Sequence, residues 1–551
     1  METNQRLHVD DYASVIAFKG RRRLAVAACA VVLLALAGLS VCGQQPRSAP
    51  RQKLPAPDKI IAEYWKAVGG KKRLATVREA TSEWKIDGHG AGRARVQEKA
   101  PAAVRTDLSV DGGEMSSAAS ARSAWMRDAD GRLRTLTDEE AGAAKLQAAL
   151  AASRLIDYKK LNVLARTVAL EREGGEAAYV VEFSTRAGAR LRYAFGVNSK
   201  LLLRIDDEAR GMRMRFGDYR AANGLLLPHR LQVERSGGEA NAGGLFPATM
   251  TLESVRFNTS LSDALFDPPS MEALDIPTLL KEVEKNQEKL DERVAEYAYT
   301  EKRTERKIND KGEVKEEKVT VYEIYPLPGG GAFYKVISEN GVPLSAERAA
   351  KQDKNIADEV AKYEREREKR EQKKKEAAEK NRGEVKKEDD DDDVSVAQFL
   401  KACEFVSPRR ERLRDREAVV FDFRPRPGFR PRTRAEDIIT KLIGIIWIDP
   451  VDKQVMRLEA RLSEGFKMGA GILLKLSPGA AFVMEQTRMS DGVWLPRFAQ
   501  INLSVRVLLF GGGSVNNTYE WSDYKRFNAE TSGYKIESPA TDNPAQGKPN
   551  Q

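Results

Sequence analysis

In Gly211–Arg220 (GMRMRFGDYR), Met212, Met214 and Phe216 alternate with Arg213 and Arg215. The same period of two puts Leu191, Tyr193, Phe195 and Val197 on one side of an extended chain. It does so again for Ile501, Leu503, Val505, Val507 and Leu509. Such alternation predicts antiparallel sheet with one apolar and one solvated face. The stretches NGLL, SDGV and NDKG supply hairpin turns between the runs.

Two stretches carry a helical period instead. Ile60, Ile61, Tyr64, Trp65 and Val68 share a face between an Asp58 cap and Gly69-Gly70, and DIPTLLKEVEKNQEKLDERV behaves likewise after Asp275. An apolar sheet face with an amphipathic helix to cover it predicts a strongly curved sheet wrapped around that helix.

The pattern is written twice. Ala177–Arg192 (AAYVVEFSTRAGARLR) lies over Glu417–Arg432 (EAVVFDFRPRPGFRPR) with seven of sixteen positions identical. In that alignment Arg186, Gly188, Arg190 and Arg192 fall on Arg426, Gly428, Arg430 and Arg432. SKLLLRI then matches DKQVMRL, NGLLLPHRLQVE matches DGVWLPRFAQIN, and SVRFN matches YKRFN. The order is kept while the offset drifts from 240 to 270, which predicts an internal duplication with insertions in the second copy. Pro228 and Pro496 donate no backbone hydrogen bond, so each belongs at an edge or strand start and marks a corner of the sheet.

One stretch breaks the pattern. Ala346–Asp393 has almost no apolar face and ends in five aspartates, which predicts a solvated charged helix followed by an acidic patch. Asp389–Asp393 is a candidate for weak binding of a divalent cation, and the stretch a candidate docking arm. Gly465–Phe482 (GFKMGAGILLKLSPGAAF) is either an ordinary hairpin or a flexible flap that touches acyl chains or a membrane.

Composition adds location. Arg21, Arg22 and Arg23 precede twenty residues without a charge, Leu24–Gly43, and a polar stretch follows. This predicts an export signal or a single membrane anchor. Cleavage, retention and lipidation on Cys42 stay open. The 551 residues carry a net +10; the first 43 hold five basic and three acidic side chains, so the remainder carries +8, an excess that favours anionic partners. Beyond the signal only Cys403 remains, so no internal disulfide can form.

Chemistry is sparse. Only His89 and His229 lie beyond the signal, and HExxH, GxSxG and GxxxxGK[ST] are absent. GHGAGR at Gly88 reads as a hairpin tip and His229 as a surface strand residue. No catalytic centre, metal site or cofactor is expected, nor nucleic acid as a partner. Five arginines between Arg424 and Arg434 form either a solubilising loop or a clamp on phosphate or carboxylate.

Together, the export signal, the helix ending in AVGG, the long amphipathic strands, FGDYRAANGLLLPHRL and TLESVRFNTSLSDALFDPPS resemble periplasmic outer-membrane lipoprotein carriers of the LolA and LolB type. The best-matching stretch runs from about Asp58 to Ser270, and the second copy resembles a divergent relative. The resemblance implies an incomplete antiparallel barrel closed by helices, whose apolar concavity shelters lipid or lipoprotein acyl chains without covalent chemistry. Envelope-stress regulators reuse that fold as a membrane-tethered sensor, which implies a protein partner as the alternative.

The fold class expected is mainly β (α+β): two tandem antiparallel half-barrels, each covered by helices, with a long charged helical insertion in the second. Residues 1–43 form the signal or anchor, 44–57 a linker, 58–270 the first half-barrel, 271–530 the second with insertion 346–393, and 531–551 a tail. Trp84, Leu191, Tyr193, Phe195, Met212, Met214, Phe216, Trp447, Ile501, Leu503 and Val505 are the expected cavity lining. Arg426, Arg430 and Arg432 are the headgroup candidates. The location expected is the periplasm or the periplasmic face of the envelope, with membrane association.

Overall fold

The computed structural model describes residues 54–526, apart from 89, 236–246, 271–274, 295, 310–312, 327–331, most of 357–395, 469–473 and 508–510. The stretch read as an export signal or anchor, the aspartate run, residues 469–473 of the expected hairpin or flap, and the tail therefore lie outside the described residues. Among the described residues no helix is long and apolar enough to cross a membrane.

The chain opens with helices α1 (Pro57–Ala67) and α2 (Lys71–Thr76). A meander of six strands follows: β1 (Glu79–Gly88), β2 (Gly92–Lys99), β3 (Ala103–Val110), β4 (Gly113–Ala119), β5 (Ala124–Arg127) and β6 (Leu133–Thr135). Helix α3 (Asp138–Ala152) leads to a second meander: β7 (Leu164–Glu173), β8 (Glu176–Ser184), β9 (Arg190–Gly196), β10 (Leu202–Asp207), β11 (Met212–Ala222), β12 (Leu225–Arg235) and β13 (Ala248–Phe257). The second meander returns so that β13 pairs with β1, giving the spatial order 6-5-4-3-2-1-13-12-11-10-9-8-7.

The second half repeats this route. Helix α4 (Ile276–Val294) is followed by β14 (Tyr297–Ile308), β15 (Val314–Pro326), β16 (Ala332–Glu339) and β17 (Val342–Pro343). Then come α5 (Val396–Ala402), β18 (Cys403–Leu413), β19 (Arg416–Pro425), α6 (Arg434–Ile439), β20 (Leu442–Ile448) and β21 (Val455–Leu462). The hairpin β22 (Phe466–Met468) and β23 (Leu474–Leu476) precedes β24 (Ala481–Arg488), β25 (Trp494–Val507) and β26 (Gly511–Arg526). The order 17-16-15-14-26-25-24-21-20-19-18 has the same logic, with β26 returning to β14. Both sheets are antiparallel and open, so the molecule is mainly β with two half-barrels in tandem.

Topology explains the drifting offset. It rises from 240 to 253 across the loop that holds α6, and from 253 to 268 across the β22–β23 hairpin, two segments the first half lacks. It also corrects the sequence alignment. Glu182 pairs with Arg192, whereas its counterpart Asp422 pairs with Ile445. Arg430 and Arg432 therefore sit in an inserted loop and have no counterparts in β9. The gapless match ran past the strand end because a loop rich in arginine met a strand rich in arginine.

The repeated Gly-Leu-Pro phrase begins a strand, as expected. Pro228 faces Tyr219 on β11, and pairing of β12 with β13 begins only at Arg230. Pro496 faces Gln486 beside a bulge, and pairing with β26 begins only at Phe498. Each proline thus occupies a stretch with one paired edge, where its missing N–H costs nothing. The turn before it also docks a helix. Gly69 at the end of α1 has φ +118, and a Cβ there would come within 2.9 Å of the Gly224 carbonyl oxygen. The Leu226 amide donates to Val68 O at 3.1 Å.

Asp58 does not cap α1. Pro57 supplies the first turn, and no side chain caps Ala56. The Asp58 carboxylate instead accepts from Tyr158 Oη (2.5 Å) and Lys159 Nζ (2.6 Å), so the Lys159 contact and then the Tyr158 hydroxyl hold its pKa below the ordinary range. Asp275 does cap α4, accepting from the Thr278 amide at 3.2 Å. Residues 346–356 begin the charged insertion as helix, and Gln352 bonds both backbone groups of Val336 on β16.

Candidate functional site

The inner face of the first sheet is built by the alternation read from the sequence. Leu191, Tyr193 and Phe195 from β9, Met214 from β11, Val181 and Phe183 from β8, and Ile86 from β1 join one buried cluster. Trp84, Met212 and Phe216 are partly buried against it. The rings pack edge to face, Phe183 lying 5.6 Å from Tyr158 and 5.0 Å from Tyr193. Each of the seven first-half candidates thus belongs to this single surface.

Two helices, not one, cover it. α1 contributes Ile60 and Ile61, with Tyr64 and Trp65 at the margin. α3 contributes Leu146 and Leu150 and otherwise packs through alanine methyls: Ala141, Ala143, Ala144, Ala148, Ala149 and Ala152 are all buried. Sequence reading missed α3 because a helix buried on several sides has no polar face and hence no helical period to detect.

In the second half, Ile501 and Leu503 share a buried cluster with Ala499 and Tyr519. Val505 lies in β25 opposite Gly513, and its side chain lies outside the described residues. Trp447 departs from the expectation. It pairs with Val420, counterpart of Val180, and packs on the opposite face with Ile445, Trp494 and Leu495. The inner-face residues of β20 are Ile446 and Ile448, which meet α4 through Leu279, Leu280 and Val283. The run LIGIIWI is apolar on both faces, so its phase was unreadable from the sequence.

The arginine loop also divides. Arg426 donates to the Leu400, Lys401 and Cys403 carbonyl oxygens at 2.9–3.0 Å and so caps the end of α5. Arg430 and Arg432 are exposed. The Glu436 amide donates to Thr433 Oγ1, the side-chain cap that starts α6, and the Arg432 amide donates to Glu436 Oε2. His229 is half-buried in β12, as a strand residue. Cys403 is buried, and burial pushes its thiol up to about 12.

The halves meet through a buried ionic network that the sequence did not announce. Arg409, wholly buried, donates to Asp422 Oδ1 (3.0 Å), Glu411 Oε1 (2.6 Å) and Thr135 Oγ1 (2.6 Å). Thr135 lies at the edge of the first sheet, and its amide and hydroxyl both donate to Glu411. Arg122 of the first half reaches Asp422 Oδ2 at 3.0 Å and also pairs with Asp267. Burial, with Arg122 opposing, raises the Asp267 carboxyl above its usual value. Arg409, Glu411 and Asp422 stand at positions of β18 and β19 that the period of two assigns to the outer face, and it is the first half, through Thr135 and Arg122, that meets them there.

A polar cavity of about 180 Å³ opens on the outer side of the first sheet, lined by Glu171, Arg192, Arg204, Asp206, Glu208 and Arg213 among others. Its arginines are committed: Arg204 pairs with Glu171, Glu173 and Asp206. Among the described residues no group of His, Cys, Asp and Glu could hold a metal ion.

No protein-family model matches the chain, and no curated protein matches it. Solved structures similar to it include a DUF1329 family protein from Desulfovibrio piger, at 13% identity over 38% of this chain and 96% of that one, with a TM-score of 0.25. A LolA superfamily protein, NE2245 from Nitrosomonas europaea, shows 10% identity over 39% and 98%, with a TM-score of 0.27. The Pseudomonas aeruginosa MucA/MucB complex shows 8% identity over 85% and 99%, with a TM-score of 0.17. At these identities and scores the likenesses decide nothing about ligand or partner.

Proposed function

We propose that the chain is an exported bacterial envelope protein that binds lipid or lipoprotein acyl chains on the inner face of its first half-barrel, without covalent chemistry. One observation carries the reading. An aromatic-rich apolar sheet face is covered by a helix, α3, whose apolar contacts are two leucines on that face and small alanine methyls, three of them in a neighbouring cluster with Ala119, Ala124 and Leu136.

Magnitudes favour exchange of that helix for a ligand. Uncovering two leucines costs about 2 kcal/mol each and six alanine methyls about 0.8 kcal/mol each, roughly 9 kcal/mol in all. Burying an acyl chain of about fifteen methylenes returns about 0.8 kcal/mol per methylene, roughly 12 kcal/mol. In apolar contacts the two are close, so a bound chain can replace α3 once its polar contacts, Asp138–Arg457 and Gln147–Arg210, have opened. Arg430 and Arg432, exposed on the inserted loop, are candidates for a headgroup phosphate or carboxylate.

A second reading, a protein partner on the second half, is favoured by a different inner face. There Arg303 pairs with Glu301 at 2.8 Å and stacks between Tyr322 (4.8 Å) and Tyr519 (5.5 Å), while Trp521 Nε1 donates to Glu301 at 2.9 Å. A face so furnished suits polar or peptide contacts better than a methylene chain.

The test is titration with a fluorescent C16 fatty acid. Saturable emission enhancement at one site, competed by palmitate and abolished by Met214→Asp and Phe195→Asp, is the expected result. Non-saturating or mutation-insensitive emission would reject the reading.

A further inference from the structure

Helix α3 faces two ways. Leu146 and Leu150 enter the first half's core, and Gln147 bonds Arg210 of the same half. Its other side meets the outer face of the second sheet. Asp138, at the helix start, pairs with Arg457 Nη2 at 2.6 Å, and Arg457 also binds Glu459 and Glu485. Burial pushes the amine of Lys145, two turns on, below the usual lysine range, and the charges that act on it are Glu459, Arg461, Asp422 and Arg457 of the second half. Three residues before α3, Thr135 is held by Glu411 and Arg409.

The helix start needs that support. Thr137 makes no capping bond with its side chain. Asp138 sits at φ +52, in the left-handed region that an aspartate adopts only at a cost. The Arg457 guanidinium anchors the residue that bears the strain.

We infer that the second half latches the lid of the first: α3 leaves the inner face of the first sheet only when the Arg457–Asp138 and Thr135 contacts to the second half open. This rests on the acyl-binding reading for its purpose, though not for its geometry. Duplication then has a mechanical consequence. An event at the second half, such as partner engagement, controls access to the first.

The experiment uses the full chain with Asp138→Asn and Arg457→Gln together, followed by hydrogen exchange read by mass spectrometry and by the association rate of the fluorescent C16 fatty acid. Amides of α3 are expected to exchange at least tenfold faster while β8 and β9 keep their protection, and probe association is expected to accelerate. Lys145→Met, which removes a half-buried amine from the same side of the helix, is expected to slow α3 exchange and so keeps the test independent of misfolding in the double variant. Unchanged α3 exchange, a loss of protection spread equally over the first sheet, or faster exchange in Lys145→Met would overturn the latch. If α3 responds as expected and no form of the protein binds the probe, the latch stands and the acyl-binding reading falls.

Discussion

Replacing Arg409 by alanine is expected to destabilise the fold by about 3–5 kcal/mol, the usual cost of removing one partner from a buried ion pair. The reason is what stays behind. Asp422 and Glu411 lose the guanidinium between them where water cannot reach, since their side chains are at most 2% exposed, and Asp422 keeps only Arg122. Thr135 loses its donor in the same step. Arg409→Lys is expected to recover little, because an ammonium cannot serve Ser407 O, Asp422, Glu411 and Thr135 with the fixed fork of a guanidinium. Burial also shields the network from salt, so its contribution should survive high ionic strength. Urea unfolding at low and high salt measures this. A loss under about 1 kcal/mol would mean that the halves do not rely on the network.

Phe183→Ala is expected to cost about 3–5 kcal/mol, the range for emptying a large aromatic site in a core. Phe183 is fully buried at the centre of the first inner face, edge to face with both Tyr158 and Tyr193. The same substitution links stability to binding. A ligand that binds only the folded state stabilises it by RT ln(1 + [L]/Kd), and a methylene chain can occupy part of the vacated space. Thermal unfolding with and without palmitate should therefore show a larger ligand-induced rise in Tm for Phe183→Ala than for the parent chain. An equal or smaller rise would place the ligand elsewhere.

The alternation of Met212, Met214 and Phe216 made the first inner face legible, because that sheet is apolar on one side and the period is clean. The repeated blocks made the duplication legible, and the shared strand order bears it out. Four things were hidden or misread, each for a physical reason. Trp447 lies in a run apolar on both faces, so no period fixes its side. α3 is rich in alanine and buried between layers, so it lacks an amphipathic stripe. Arg409, Glu411, Asp422 and Arg457 read as ordinary outward-facing charges, and only the docking of one copy on the other removes them from water. Arg426 looked like a free anion binder and is a helix cap, a role set by the spatial neighbourhood of α5.

Native mass spectrometry of the full chain, exported in a bacterial host and purified without detergent, tests the central claim most directly. The expected result is a population heavier than the polypeptide by the mass of an acyl-bearing molecule, lost on organic extraction and restored at one equivalent by added palmitate. A chain that carries only its own mass and takes up no palmitate after extraction would contradict it.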